Sequence, residues 1–591
     1  MVKTLLKSVR QYKSRAILTP VVMIVEATME ILIPYVMTLL IGVIEDAQEA
    51  GIALTSADFG KIAMCGGIMF VLGIVSLASG ALGGKLASEA SAGFAANLRQ
   101  DAYDKIQTYS FANIDKFSTS SLITRLTTDI TSVQQAFQMC IRMLVRAPVM
   151  FIAAAVMSFV IAPKIAWIFL VAAVILFVLV IVLMNSAQPN FRQMFKKYDR
   201  LNAVAQENLI GIRVVKSYVL EDYEIEKYQK ATQEVYDFSV RAEKIMAGMM
   251  PIVQTIMYAT MLLLLTVGGI SIVGHELGIK DLTGLLSYAT QILSGVMMVA
   301  MVLTFIAMSR PAMERLAEVL TEESTIKDPE NPVFEVKNGE IEFDHVSFAY
   351  RKGGEGEDVI RDVTFKIASG ETIGIIGQTG SAKSTLVSLI PRLYDVTEGS
   401  VKVGGRDVKE YDLTALRNAV AMVLQKNVLF SGSVAENLRW GKEDATQEEL
   451  EFACKQACAD EFIEQLPGKY DYDLGQGGVN VSGVQKQRLC IARTLLKKPK
   501  ILIFDDSTSA VDTATEAKIR AALRALPDVT KIIIAQRITS VMGTDQIIVL
   551  DDGRIHAVGT HRELLESDAI YQEIYHSQMK GGSGDGTADL G

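Results

Sequence analysis

The chain has 591 residues, too many for a single domain, and 50% of them are hydrophobic. Its 58 basic and 67 acidic residues give a net charge of −9, which argues against a protein that binds nucleic acid. The five cysteines lack the paired spacing of a zinc site, so we interpret them as packing residues.

Six long apolar stretches occupy the first half of the chain and predict membrane spans. They lie near residues 16–44, 62–84, 138–161, 165–186, 246–273 and 282–309. Most of them reach the roughly 20 residues that a helix needs to cross the hydrocarbon core of a bilayer. We therefore predict an all-α transmembrane domain with six spans over residues 1–321.

The segments between the spans alternate in length and in basic charge. The second and fourth are long and rich in Lys and Arg, whereas the first, third and fifth are short and poor in them. By the positive-inside rule, the long segments and both termini are cytoplasmic. The long segments also have a helical pattern, so we expect the span helices to continue into the cytoplasm. Leu5 to Arg15 predicts a short amphipathic helix on the inner membrane surface.

Charged residues occur inside two of the spans. Glu26 and Glu30 lie one helical turn apart in the first span, and Arg142 and Arg146 have the same spacing in the third. A charge inside a membrane is costly and usually faces a cavity or a charged partner. Two interpretations of the carboxylates remain open: they line a substrate path that favours cationic cargo, or they pair structurally with another helix. For the arginines, a position at the membrane boundary is a further alternative.

The second half of the chain has a different character. A polar linker with two prolines covers residues 322–336, and strand-like runs then alternate with Gly-rich turns and helices. This alternation predicts an α/β domain over residues 337–578. The Gly-rich end, residues 579–591, is predicted to be a disordered tail.

A phosphate-binding loop follows the strand-like run Thr372–Ile376. Its residues are Gly377, Gln378, Thr379, Gly380, Ser381, Ala382, Lys383, Ser384 and Thr385. Backbone N–H groups and the start of the following helix attract phosphates. We expect Lys383 to reach the β- and γ-phosphates of a nucleotide and Ser384 to ligate Mg²⁺. Ala382 stands where this pattern usually has Gly; one methyl is the smallest intrusion, so nucleotide should still bind.

A second motif is the apolar run Ile501–Asp506, which ends in two carboxylates. Asp505 closes this run and can hold Mg²⁺ through water. Between the two motifs lies Val481-Ser-Gly-Val-Gln485. The order and content of the three motifs resemble the nucleotide-binding domain of ABC transporters. Together with the six spans, nearly the whole chain resembles a multidrug-type ABC exporter half-transporter. This implies an ATP hydrolase coupled to transport, with ATP and Mg²⁺ as cofactors.

The resemblance also implies roles for other residues. Tyr350 would stack on adenine, and Gln425 would sense Mg²⁺ and the attacking water. The segments 111–117 and 217–223 would be coupling helices, although plain connectors are the alternative. The signature, which would act on ATP held by a second chain, comprises Ser482, Gly483, Val484 and Gln485, and the D-loop that links the two sites includes Ser509 and Asp512.

Three positions besides Ala382 depart from the family pattern. Asp506 replaces a Glu that positions water; its side chain is one methylene shorter, about 1 Å, and such a displacement can cost about 10²-fold in rate. Gln536 replaces a His that contacts the γ-phosphate, and Gln cannot become cationic. Val484 replaces a Gly and would be strongly disfavoured if the backbone there needed a positive φ. We therefore expect this site to bind ATP and cut it slowly.

A homodimer would repeat the altered site twice, so the pattern resembles the degenerate-site subunit of heterodimeric bacterial exporters. The implied partner is a second ABC half-transporter, and the implied cargo is small amphipathic molecules moved out through the plasma membrane. A lipid or peptide exporter subunit is an alternative. A rival from another class is an ATP-gated membrane receptor or channel subunit without productive turnover.

Overall fold

The computed structural model describes residues 1–49, 51, 53–350, 357–506, 513–526 and 528–580. The chain divides into two compact units. The first unit comprises Met1–Gln107 and Ser120–Glu322, and the second comprises Thr108–Thr119 and Glu323–Gly591.

The described part of the first unit is built from helices, several of them very long. In chain order they are α1 (Val2–Leu6), α2 (Lys13–Glu49), α3 (Ser56–Gln107), α5 (Thr119–Thr124), α6 (Ile130–Ile161), α7 (Pro163–Ile210), α8 (Ile212–Tyr218), α9 (Glu221–Val273) and α10 (Ile279–Thr321); α4 (Phe111–Phe117) belongs to the second unit.

Six helical segments of the described chain are long and apolar enough to cross a membrane, which confirms the predicted all-α domain with six spans. Helices α3, α7 and α9 contain 52, 48 and 53 residues. At about 1.5 Å per residue they measure roughly 70–80 Å, more than twice the ~30 Å hydrocarbon core. The span helices therefore continue well beyond a bilayer, as the helical pattern of the long segments predicts.

The N-terminal segment differs from the single amphipathic helix that its sequence predicts. Helix α1 ends at Leu6, and a 3₁₀ segment follows from Lys7 to Tyr12 with a break at Arg10, whose φ is +40°. Leu5 and Val9 are buried in a core cluster with residues of α3, α6 and α10. The apolar side of this segment therefore packs on the other helices. This contact removes it from water, which is also what binding to a membrane surface would do.

The second unit is an α/β domain with two sheets, as predicted. Its strands are β1 (Ile341–Phe348), β2 (Ile360–Ile367), β3 (Thr372–Ile376), β4 (Glu398–Val403), β5 (Arg406–Asp407), β6 (Val420–Val423), β7 (Ile501–Asp505), β8 (Thr530–Ile534), β9 (Gln546–Asp551) and β10 (Arg554–Gly559). Its helices after α4 are α11 (Lys383–Ser388), α12 (Leu413–Ala419), α13 (Val434–Arg439), α14 (Gln447–Gln456), α15 (Asp460–Ile463), α16 (Gly483–Leu496), α17 (Thr513–Arg524), α18 (His561–Ser567) and α19 (Ala569–Lys580).

The larger sheet has the order β10-β9-β3-β8-β7-β6, and the smaller antiparallel sheet has the order β2-β1-β4-β5. Strands β9, β3, β8, β7 and β6 are parallel, and only β10 is antiparallel to its neighbour among the described strands of the larger sheet. In β7, Ile501 and Ile503 belong to one core cluster and Leu502 and Phe504 to the other. Burial on both faces explains why this strand has a continuous apolar sequence.

A partly buried ion pair joins Arg315, near the C-terminal end of α10, to the buried carboxylate of Asp129. Arg315 donates from Nε and Nη2 to the two carboxylate oxygens of Asp129, at 2.7 and 2.6 Å. The Asp129 side chain is 3% exposed. The nearby Arg310–Glu314 pair is a surface contact, because the two side chains are 72% and 53% exposed. The two pairs should therefore differ in their effect on stability.

We expect Arg315→Ala to lower the thermal stability of the protein, because it leaves the Asp129 carboxylate buried without its charged partner. Breaking a fully buried pair costs about 3–5 kcal/mol, and partial exposure of Arg315 reduces this to roughly 2–3 kcal/mol. Thermal unfolding of the purified protein in detergent measures the change. Arg310→Ala is the matched control and should shift Tm little; equal shifts for both variants would contradict the interpretation.

Candidate nucleotide site

The phosphate loop lies between β3 and α11 and requires glycine at two positions. A side chain at Gly377 would place its Cβ 2.1 Å from the carbonyl oxygen of Leu550, which is too close for any other residue. Gly380 has a φ of +90°, a conformation that favours glycine. These two glycines let the chain turn sharply from the strand into the helix, which begins at Lys383.

Ala382 introduces backbone strain in addition to the extra methyl group that the sequence indicates. Its backbone has φ +70° and ψ 21°, the left-handed conformation. An L-residue with a Cβ pays roughly 1–2 kcal/mol in that region. The departure from Gly is therefore a backbone strain as well as a change in volume. The helix nevertheless begins directly after it, so the loop keeps its form.

The ammonium of Lys383 is held against its own loop. Nζ donates to the carbonyl oxygens of Gly377 and Gln378, at 2.9 and 2.7 Å, and to Ser381 Oγ at 3.3 Å. Burial lowers the pKa of Lys383, and the nearby carboxylates of Asp506 and Asp505 oppose that shift. The ammonium group therefore lies within the curve of the loop, where it can contact a bound phosphate.

Two oxygen ligands suited to Mg²⁺ lie side by side. Ser384 Oγ donates to Asp505 Oδ1 at 2.7 Å. Asp505 is 5% exposed; burial raises the pKa of its carboxyl, and the Ser384 hydrogen bond opposes this. Among the described residues, no group of three or more His, Cys, Asp or Glu side chains could hold a metal. A hydroxyl and one carboxylate fit Mg²⁺, which commonly completes its shell with water and nucleotide phosphates.

The two positions that depart from the family pattern after β7 and β8, Asp506 and Gln536, contact each other. Gln536 Nε2 donates to Asp506 Oδ2 at 2.6 Å. Asp506 follows β7 with a φ of +46°, and its N–H donates to the carbonyl oxygen of Ile534 at 3.1 Å. Because β7 and β8 are adjacent parallel strands, the residues after them meet at one edge of the sheet. The Gln536 amide thus engages one of the two oxygens of the shorter carboxylate.

Tyr350 lies beside the end of the phosphate loop. Its hydroxyl donates to Thr385 Oγ1 at 3.0 Å. The ring makes edge contacts with Phe348 and Tyr394, at centroid distances of 4.8 and 5.2 Å, and the residue is 44% exposed. A partly exposed aromatic ring in this place can stack on a base, so adenine stacking stays a prediction with suitable geometry.

The signature residues begin a separate helix, α16. Ser482 is its N-cap: Ser482 Oγ accepts from the N–H of Gln485 at 3.3 Å, and Gln485 Oε1 accepts from the N–H of Ser482 at 2.8 Å. Val484 lies in the first turn and is not among the described residues with positive φ. The concern about left-handed backbone at Val484 therefore does not apply. The free N–H groups of the first turn can still attract an anion.

Of the three remaining residues of the predicted nucleotide and D-loop motifs, the structure describes only Gln425. Gln425 follows β6 at the same edge of the sheet, but it is exposed and makes no side-chain hydrogen bond with a described residue. Ser509 and Asp512 of the predicted D-loop lie outside the described residues.

The structure adds one residue that the sequence did not suggest, Gln578, which contacts the loop containing Gln536. No local pattern marks it, because the contact joins distant parts of the chain.

Arg146 of the third span pairs with both carboxylates of the first span. Arg146 Nη2 donates to both carboxylate oxygens of Glu30 at 2.8 Å, and Nη1 lies 3.5 Å from Glu26 Oε1. Glu26 is 7% exposed. Of the two interpretations of these carboxylates, the geometry therefore favours structural pairing between α2 and α6 over a free cation-attracting path.

Known proteins with similar sequences and structures share this fold. Residues 16–297 match the family of the ABC transporter transmembrane region, and residues 360–509 match the ABC transporter family. The chain is 35% identical to the ABC transporter ATP-binding protein YfiB of Bacillus subtilis over 574 residues, which is 97% of this chain and 98% of that protein. It is 31% identical to the multidrug efflux ATP-binding/permease protein Rv0194 of Mycobacterium tuberculosis, over 81% of this chain and 40% of that protein.

The fold also resembles a solved structure, a bacterial Atm1-family ABC exporter with ATP bound. The TM-score is 0.81 at 24% identity, over 98% of this chain and 99% of that one. Six membrane helices joined to a phosphate-loop ATPase domain define an ATP-driven membrane transporter. The chain belongs to the ABC transporter family and is a multi-pass membrane protein with an ATP-binding domain.

We expect Ala382→Gly to stabilise the ATPase domain modestly, because relief of left-handed strain of roughly 1–2 kcal/mol exceeds the cost of about 0.4–1 kcal/mol from the added chain entropy of the unfolded state. The measurement is thermal unfolding, with binding of a fluorescent ATP analogue to show that the site is retained. Ala521→Gly is the matched control: Ala521 is exposed in α17, where Gly costs about 1 kcal/mol. If both changes lowered Tm equally, Ala382 would not be strained.

Proposed function

We propose that this chain is one subunit of a heterodimeric ABC exporter and that its own phosphate-loop site binds MgATP but hydrolyses it slowly. The observation that carries the proposal is the 2.6 Å hydrogen bond from Gln536 to Asp506. It joins the two positions where the sequence departs from the hydrolytic pattern of the family. Both departures affect the same step, the attack of water on the γ-phosphate.

The physical argument concerns the acceptor for that water. Catalysis requires a group that holds water in line with the phosphorus atom, and a displacement of about 1 Å can cost about 10²-fold in rate. Asp506 is too short by one methylene, and one of its oxygens already accepts from Gln536. Gln536 offers a neutral amide, so it cannot supply the cationic hydrogen bond that a protonated His can give to developing negative charge.

The binding half of the site retains its parts. Lys383 lies inside the phosphate loop, and Ser384 and Asp505 form the oxygen pair suited to Mg²⁺. The loop glycines have the conformations that the turn requires. In the proposed function, MgATP therefore stays bound at this site and holds the two ATPase domains together. Most hydrolysis occurs at the other site, where the partner supplies the phosphate loop and this chain supplies Ser482 and α16.

The different surroundings of the two predicted coupling segments support the presence of a partner chain. Helix α4 packs within the ATPase unit, where Asp115 Oδ2 accepts from the Tyr394 hydroxyl at 2.7 Å and Asn113 Nδ2 donates to the carbonyl oxygen of Glu323 at 3.1 Å. The turn between α8 and α9 is instead exposed: Tyr218 is 72% and Val219 80% accessible. An exposed apolar turn supports docking onto another protein, here the ATPase domain of the partner.

The proposed cargo is a small amphipathic molecule, moved outward through the plasma membrane with both termini in the cytoplasm. The basic long segments support that orientation. The likeness to a protein named for multidrug efflux supports the cargo class. Pairing of Glu26 and Glu30 with Arg146 weakens the case for cations as the preferred cargo.

We expect Asp506→Glu combined with Gln536→His to raise hydrolysis at this chain's site at least about 10-fold, because the pair restores the reach of the carboxylate and a group that can become cationic. The measurement is ATPase activity of the co-purified heterodimer after the partner's catalytic Glu has been changed to Gln. Adding Lys383→Met to the same variant is the control and should abolish the gain. An unchanged rate in the variant would refute the degenerate-site proposal.

We expect the chain purified alone to show little ATPase activity, and the chain purified with a half-transporter that carries Glu and His at the matching positions to show activity stimulated by substrate. The reason is that each composite site needs the phosphate loop of one chain and the signature of the other. ATP-dependent uptake of a fluorescent drug into inverted vesicles tests export directly. ATP-gated ion flux without such uptake would favour a channel, and uptake of lipids or peptides alone would change the cargo class.

A further inference from the structure

The last turn of α19 reaches the loop that follows β8. Gln578 Nε2 donates to the carbonyl oxygen of Gln536 at 2.8 Å, and Gln578 Oε1 accepts from the N–H of Ile538 at 2.8 Å. One side-chain amide thus holds the backbone on both sides of Arg537. Because a carbonyl can only accept and an N–H can only donate, these partners also define the orientation of the amide.

Helix α19 is a firm support for this contact. Tyr571 is fully buried, its hydroxyl lies 2.7 Å from His561 Nδ1, and its N–H donates to Asp568 Oδ1 at 2.7 Å. Ile574 packs against the core cluster of the domain. The helix is therefore anchored two turns before Gln578, independently of the contact that Gln578 makes.

The loop that Gln578 holds is also fixed on both flanks. Upstream, β8 ends at Ile534 within the parallel sheet. Downstream, Ile538 is fully buried, and the carbonyl oxygen of Thr539 accepts from Arg520 Nη1 at 2.7 Å. The peptide of Gln536 lies between these two anchors, and its carbonyl oxygen is the atom to which Gln578 donates. The Gln536 side chain, on the same residue, donates to Asp506.

We propose that Gln578 is a positioning residue that sets where the Gln536 side chain lies relative to the γ-phosphate of bound ATP. This inference rests on the proposed function, in which Gln536 occupies the position that contacts the γ-phosphate. A neutral hydrogen bond changes an equilibrium by roughly 2- to 10-fold. Loss of the Gln578 contact should therefore weaken recognition of the γ-phosphate by that order. Binding of ADP, which lacks this phosphate, should not depend on Gln578.

The test compares affinities of the full-length chain in detergent for Mg-AMP-PNP and Mg-ADP, by competition with a fluorescent nucleotide. Gln578→Ala removes both hydrogen bonds. Gln578→Glu keeps the acceptor for Ile538 but places a carboxylate oxygen against the carbonyl of Gln536. We expect both variants to lower the ratio of AMP-PNP to ADP affinity roughly 3- to 10-fold, with ADP affinity unchanged within about twofold. Glu573→Ala, exposed on the same helix, is the matched control and should leave the ratio unchanged.

A double-variant cycle separates positioning from general support of the fold. If Gln578 acts through Gln536, Gln536→Ala and the double variant with Gln578→Ala should have the same ratio. Equal loss of AMP-PNP and ADP affinity in Gln578→Ala would show a purely structural role and overturn the inference. If Gln536→Ala lowers the ratio and the Gln578 variants do not, only the positioning role fails. If Gln536→Ala leaves the ratio unchanged, the role of Gln536 in the proposed function fails as well.

Discussion

The nucleotide site depends on the register of three parallel strands in the larger sheet. Ile534 of β8 pairs with Ile375 of β3 on one side and with Asp505 of β7 on the other. Neighbouring strands lie about 4.8 Å apart, so the chains that leave these strands emerge side by side. The phosphate loop, the two carboxylates and the loop of Gln536 meet for this reason. A slip of one residue in β7 would turn Asp505 to the opposite face of the sheet.

Burial is what holds that register. The residues of β3, β7 and β8 lie between two apolar core clusters, one on each face of the sheet, and β7 contributes alternate side chains to both. A strand buried on both faces has no polar side that could be exposed without cost. The same burial acts on the site, where it lowers the pKa of Lys383 and raises the pKa of Asp505. Removal of these charges from water increases their interaction with a bound Mg-nucleotide.

In the proposed function, binding and hydrolysis use different parts of this edge, so binding can be retained while hydrolysis is slowed. Binding uses the glycine-rich turn after β3, with Lys383 and the Ser384–Asp505 pair. In the proposed function, water activation uses only the positions after β7 and β8, Asp506 and Gln536. A hydrogen bond from Gln536 to one carboxylate oxygen of Asp506 joins these two positions. Gln578 of α19 donates to the backbone carbonyl of Gln536, so this helix also supports the position proposed to act in hydrolysis.

The sequence by itself determined the six spans, the α/β domain and the identity of the phosphate loop, because each is encoded by local patterns: long apolar runs, alternating strands and helices, and a glycine-rich loop before a Lys. It did not reveal the left-handed backbone of Ala382, because that strain depends on how the loop leaves β3. It left open whether Glu26 and Glu30 were free, and it gave no sign of Gln578. Only tertiary structure decided these points, since the partners of Glu30 and Gln536 lie 116 and 42 residues away, on other elements. Contacts between distant residues are set by packing of whole elements, which local sequence patterns do not record.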